Sequence, residues 1–214
     1  MLIISTRRNF SNADYFSEQT YAVSHIDLQS DTVIAENISA DQFVETIKGK
    51  RVLLLVHGYN TEQDEVYDAY AVIERSIKRH LEDTYDLILG YLWPGGDQAW
   101  EWKQAKSRAN GAGRRLRYHL ESLPSEAIDV MSHSLGGRVV LKALKYSGKK
   151  ELIRNYYCTA AAVDDECLEP GEEFFRAIES WKRVFVFHSK YDKVLATAYI
   201  MAEFDSALGL RGPE

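Results

Sequence analysis

The chain has 214 residues, with 26 Lys and Arg against 32 Asp and Glu and a formal net charge of −6. That length suits a single domain (residues 1–214) with a substantial core, and the acidic balance disfavours a binder of nucleic acid or of an anionic membrane. Two cysteines form no disulfide framework, and Leu2-Ile-Ile4 is too short for a signal peptide. No stretch reaches membrane-spanning length, so a cytoplasmic protein is expected.

In chain order, Leu2–Ser5 and Tyr21–Leu28 read as two strands joined by a polar loop, an expected edge hairpin. Ser39 to Ile47 reads as a short helix leading into Lys50–Val56, an apolar run of the kind buried in a parallel sheet. That strand ends in His57-Gly-Tyr-Asn60. Thr61 is the expected cap of a helix running to about Leu81, with Val66, Tyr70, Ile73 and Ile77 at core spacing. Asp86 to Pro94 is the next buried strand, ended by Pro94 and Gly95-Gly96. Gly96 to Pro124 then reads as a long amphipathic helical stretch, broken or kinked near Asn110-Gly-Ala-Gly113. Trp93, Trp100 and Trp102 form an aromatic cluster that suits either a pocket wall or packing over the sheet. Tyr156–Asp165 reads as a strand with carboxylates at its end, and Glu169-Pro-Gly171 opens a helix through Ile178. Trp181–His188 is a further strand, followed by Ser189-Lys-Tyr-Asp192. Strands and helices alternating in this way predict a doubly wound α/β fold. Its sheet is mostly parallel, with helices on both faces and ligands bound outside the carboxyl ends of the strands.

Ala127 to Val140, AIDVMSHSLGGRVV, carries the chemistry. A short apolar strand turns through Ser-His-Ser-Leu-Gly-Gly and resumes as a helix with Val140, Leu141 and Leu144 at helical spacing. This is the context of the G-x-S-x-G nucleophile turn, here S-x-S-x-G, with Ser134 as the candidate nucleophile. A serine hydroxyl must be aimed and paired with a base to attack at neutral pH. A tight strand-to-helix turn lifts its oxygen clear of the sheet, and the free N–H groups of the following helix face whatever negative charge develops there. Gly136 and Gly137 let that helix start close to a neighbouring strand. No cluster has metal-ligand spacing and no glycine-rich phosphate motif occurs, so neither metal nor cofactor is expected.

HGYN, the strand ending in Trp93-Pro94, the Ser132-His-Ser-Leu-Gly136 turn, the strand ending in Ala161-Ala-Val-Asp-Asp165 and the segment His188–Leu195 together resemble the α/β-hydrolase superfamily. More narrowly, they are similar to an uncharacterised group of bacterial α/β-hydrolase-like proteins of unknown function, over roughly Leu2 to Pro213. The resemblance implies an oxyanion hole made by the backbone N–H groups of Tyr59 and Leu135. It implies a triad acid at Asp192, with Asp164 as the alternative. The family's histidine follows an eighth strand, yet no histidine follows Asp192. Either that last strand is lacking or the triad is incomplete. His57 and His133 are expected to be fixed under their loops, His80 and His119 to lie at the surface, and His25 to be remote. His188 is then the plausible substitute base. The expected activity is hydrolysis of a small-molecule carboxylic ester or thioester through an acyl-Ser134 intermediate. A non-catalytic binding module on the same fold is the alternative, an acyltransferase is not separable by sequence, and the oligomeric state is unknown.

Overall fold

Alternating burial along the strands builds one sheet between two layers of helix. In β4 (Arg51–Val56), Val52, Leu54 and Val56 enter one core and Leu53 and Leu55 the other, the period of two that a strand imposes. The structure, a computed structural model, describes residues 1–18, 21–28, 32–35, 38–96, 98, 100–203 and 205–213. The other strands are β1 (Leu2–Ser5), β2 (Ala22–Asp27), β3 (Thr32–Ala35), β5 (Leu87–Leu92), β6 (Ala127–His133), β7 (Ile153–Thr159) and β8 (Trp181–Phe187). Among the described residues they form one sheet in the order β3-β2-β1-β5-β4-β6-β7-β8. β2 runs antiparallel to β1 and β3, and every other neighbouring pair is parallel. The fold is the mostly parallel α/β sheet of an α/β-hydrolase-like protein. Leu2–Ser5 is not at an edge, however. β1 pairs in parallel with β5, because its Ile3 and Ile4 are apolar on both faces and need cover on both sides.

Helix α1 (Ala40–Ile47) starts in a capping box between Ser39 and Gln42. α2 (Gln63–His80) covers the Leu53/Leu55 face, while α1, α3 (Trp102–Ser122) and α4 (Gly136–Ser147) cover the other. Thr61 does not cap α2. Its hydroxyl donates to the Tyr59 carbonyl and its N–H to Gly96, while Glu62 and Glu65 make the capping box. α3 runs unbroken through Asn110–Gly113. A Cβ on Gly113 would stand 2.5 Å from Lys142 Cβ and 2.8 Å from the Val139 carbonyl, so the glycine serves a close approach to α4. That packing outweighs a helix-propensity deficit of about 1 kcal/mol. The expected helix after Pro170 is shorter than predicted, a 3-10 segment Phe175–Ser180 held to the core by Phe174 and Ala177. After β8 come a π-helical segment Leu195–Tyr199, α5 (Ile200–Glu203) and α6 (Leu208–Arg211). No described helix is long and apolar enough to cross a membrane.

Candidate active site at the carboxyl ends of β4 and β6

From β4 the chain passes through α2 to β5 on one side, then through α3 to β6 on the other side of β4. This reversal opens a crevice beyond the carboxyl ends of β4 and β6, the usual ligand position in such sheets. Both motifs end there. Ser134 lies between the last residue of β6, His133, and the first of α4, Gly136, with φ of 52°. A left-handed serine stores about 1–3 kcal/mol of strain that its surroundings must hold. Three backbone bonds do so: Ser134 N–H to Thr159 O at 3.1 Å, and the N–H groups of Gly137 and Ala162 to Ser134 O at 2.9 and 3.2 Å. α4 starts hard against β4. A Cβ on Gly136 would lie 2.4 Å from the His57 carbonyl oxygen and 2.7 Å from that of Val56.

The HGYN loop leans on the serine. An ideal Cβ on Gly58 would fall 3.1 Å from Ser134 Cβ and 3.3 Å from His133 Nδ1. His57 fixes the loop from beneath. Its Nε2 receives the Trp93 N–H at 3.1 Å and faces the Arg7 guanidinium at 3.4 Å, so Nε2 is the acceptor and Nδ1–H donates to Gly58 O at 2.8 Å. Burial and the Arg7 charge hold its pKa well below 6.5, and the ring stays neutral. Trp93 stacks on His57 at 5.5 Å and donates its indole N–H to the His57 carbonyl. Trp93 is thus packing. Trp102 stands edge-on to Tyr59 and Tyr199, forming a wall with them, and Trp100 is exposed. Among the described residues, the backbone N–H groups of Tyr59 and Leu135 donate to no protein acceptor, although Leu135 is wholly buried. A buried N–H without a partner is rare.

Asp192 follows β8 on the same edge of the sheet. Its Oδ1 accepts from the N–H groups of Val194 and Leu195, each at 3.0 Å, so it caps the helical segment that leads to Glu203. Asp164 is taken differently. The Tyr199 hydroxyl donates to it at 2.5 Å, and its backbone bridges Ala207. Burial would lift the Glu203 carboxyl, but Lys106 and the Trp102 indole N–H hydrogen-bond it and keep its pKa low. This anchors the Tyr199 wall to α3.

The histidines separate by position. His188 packs its ring against Gly212, about 3 Å from where a Cβ would be, with no hydrogen bond to Ser134 or Asp192 among the described residues. His119 is not at the surface. Only 1% exposed and with no partner for Nε2, it sits edge-on to Tyr21, and burial lowers its pKa to about 4. His133 is exposed rather than clamped under its loop. Burial of its flanks lowers its pKa, and the nearby Asp192 charge pulls it back up. His133 is therefore the histidine that adjoins both Ser134 and the field of Asp192. The Ser-His-Ser motif held that signal, but strand alternation alone gives no view of Asp192.

No group of three or more His, Cys, Asp or Glu among the described residues is placed to hold a metal ion. No curated protein and no solved structure matches the chain. The sequence does match, over residues 33–210, the family described as alpha/beta hydrolase of unknown function (DUF900). With the mixed, mostly parallel sheet and the crevice between β4 and β6, the match makes this chain a member of that α/β-hydrolase family.

Proposed function

We propose that the protein is a serine hydrolase that cleaves a carboxylic ester or thioester through an acyl-Ser134 intermediate. The observation that carries this reading is the left-handed Ser134 turn, braced by three backbone bonds, with two unpartnered N–H groups (Tyr59 and Leu135) in the flanking segments. Ser134 Oγ attacks the carbonyl carbon, and the developing oxyanion is received by those N–H groups. The Oγ proton passes to a histidine, a role this reading gives to His133, the neighbour of Ser134 that feels the Asp192 charge. It then moves to the leaving alcohol or thiol as the carbon–heteroatom bond breaks. Water repeats the sequence on the acyl-serine. Asp192 supports the cation that forms on His133, and its Oδ2 is not engaged by a described residue.

Ser134 Oγ makes no hydrogen bond to a base among the described residues. That favours slow turnover, since general-base assistance is worth on the order of 10²–10⁴-fold. The same observation favours the second reading, a non-catalytic binding module. A fluorophosphonate probe separates the two. The hydrolase reading expects a single adduct, located on Ser134 by mass spectrometry, and turnover of p-nitrophenyl acetate that drops on the order of 10³-fold or more in Ser134→Ala. Absence of both adduct and turnover would leave the binding module standing.

A further inference from the structure

A cavity of about 500 Å³ opens between the first half of α2 and the carboxyl ends of β4, β6 and β7. That is within the ~300–1,000 Å³ typical of small-molecule sites. Its apolar lining comes from Leu55, Val66, Ala69, Val72, Ile73 and Met131. Most of the polar groups in its wall are already paired within the protein. The Tyr70 hydroxyl accepts the His57 N–H and lies 3.0 and 2.9 Å from the Leu55 and Tyr91 carbonyls. Thr159 donates to the Ser132 carbonyl, Thr61 to that of Tyr59, and the Ser132 hydroxyl pairs with Tyr156. A buried water needs about three partners, and here the His133 ring and the Tyr59 N–H are what remains on offer among the described residues. Water in the cavity is therefore weakly held, and an apolar group displaces it favourably.

The cavity runs up to the residues that flank the nucleophile. Gly58, Ser132 and His133 line it, and Gly58 packs closely on Ser134, whose Cβ lies 3.1 Å from where a Cβ on Gly58 would stand. On the side of Tyr59 the volume is filled by the packed rings of Trp102 and Tyr199. Another cavity, by contrast, is lined by Asp14, Glu62 and Asp64 and suits no apolar group.

We propose that this cavity holds the acyl chain of the substrate, which makes the preferred ester or thioester a medium- to long-chain one rather than an acetate. This rests on Ser134 being the nucleophile. With a methylene filling about as much space as a water, about 30 Å³, the volume of about 500 Å³ admits a chain of up to about sixteen carbons.

The test is a kcat/KM series over p-nitrophenyl acetate, butyrate, octanoate and palmitate, on the wild-type chain and on Ala69→Trp and Val72→Trp. Both positions are exposed on the cavity side of α2, so neither change enters the core. The octanoate-to-acetate ratio should be about tenfold or more in the wild type, fall about tenfold in each variant, and persist at palmitate in the wild type. A flat series, or a ratio that both tryptophans leave alone, overturns the proposal while the hydrolase reading stands. If no ester is turned over, displacement of a fluorescent fatty acid by decanoate decides independently. Binding that Ala69→Trp abolishes keeps the acyl site and sinks the hydrolase. Absence of binding sinks the site.

Discussion

Two histidines flank the crevice, and they live under opposite rules. His57, beneath the HGYN loop, is buried, neutral, stacked on Trp93 and hydrogen-bonded at both ring nitrogens. His133, beside the serine, is exposed, has no ring hydrogen bond among the described residues, and feels Asp192 only through its field. The comparison separates two needs of such a site. Groups that must receive charge without moving are built from buried, saturated neighbours. A group that must gain and lose a proton stays near water and keeps its nitrogens free.

The strongest way to break the rigid half is Gly136→Ala. Its Cβ would meet two β4 carbonyl oxygens inside contact distance, and backbone cannot yield as a side-chain tip can. Urea unfolding should report a loss of about 3 kcal/mol or more, with weaker fluorophosphonate labelling of Ser134 in the folded fraction.

Next comes His57→Ala. It strips an acceptor from the Trp93 N–H and from Arg7, and a buried donor left unsatisfied costs about 1–3 kcal/mol before the cavity is counted. A stability loss of about 3 kcal/mol is expected. A loss below about 0.5 kcal/mol would show that the loop does not depend on it.

His133→Ala should do the reverse. Stability should stay within about 0.5 kcal/mol, since the residue is exposed, while kcat/KM for ester hydrolysis falls about 10²-fold. Only the neutral ring accepts a proton, so wild-type kcat/KM should drop as pH falls through a value below 6.5. That acid limb should vanish in the variant. Full activity without His133 would remove it from the mechanism.

The smallest effect concerns a third histidine, buried like His57 but without its partners. His119 has a folded pKa of about 4 against 6.5 for the free group. Between those values the unfolded chain binds a proton that the folded one refuses, so stability declines as pH falls below 6.5 and is unaffected above it. The loss at pH 5 relative to pH 7.5 should be about 2 kcal/mol. His119→Phe should abolish it, and a pH dependence that persists in that variant would trace to other groups.

Much of this was legible in residues alone, because it depends on local pattern. The apolar run of β4, the short helix after Ser39 and the strand–Ser134–helix turn each rest on neighbours within a few positions. The two motif loops could be assigned to one edge, since parallel strands all end on the same side. Three of the expectations that failed share one reason, that local preference was overridden by distant contacts. Thr61 lost its capping role to the Gly96 loop, Asn110–Gly113 stayed helical against α4, and His119 was drawn under Tyr21.

By itself, then, the sequence determined the alternation of strands and helices, and with it a nucleophile-type turn facing a histidine-glycine loop. Periodicity and turn chemistry are written in consecutive residues. Only the tertiary structure decided which histidine stands near Asp192, which carboxylate was already claimed by Tyr199, and that an apolar cavity lies behind Gly58. Those facts depend on side chains from β4, α2, β6 and the segment after β8 meeting in space. Partners so far apart in the chain leave no mark in any short window of it.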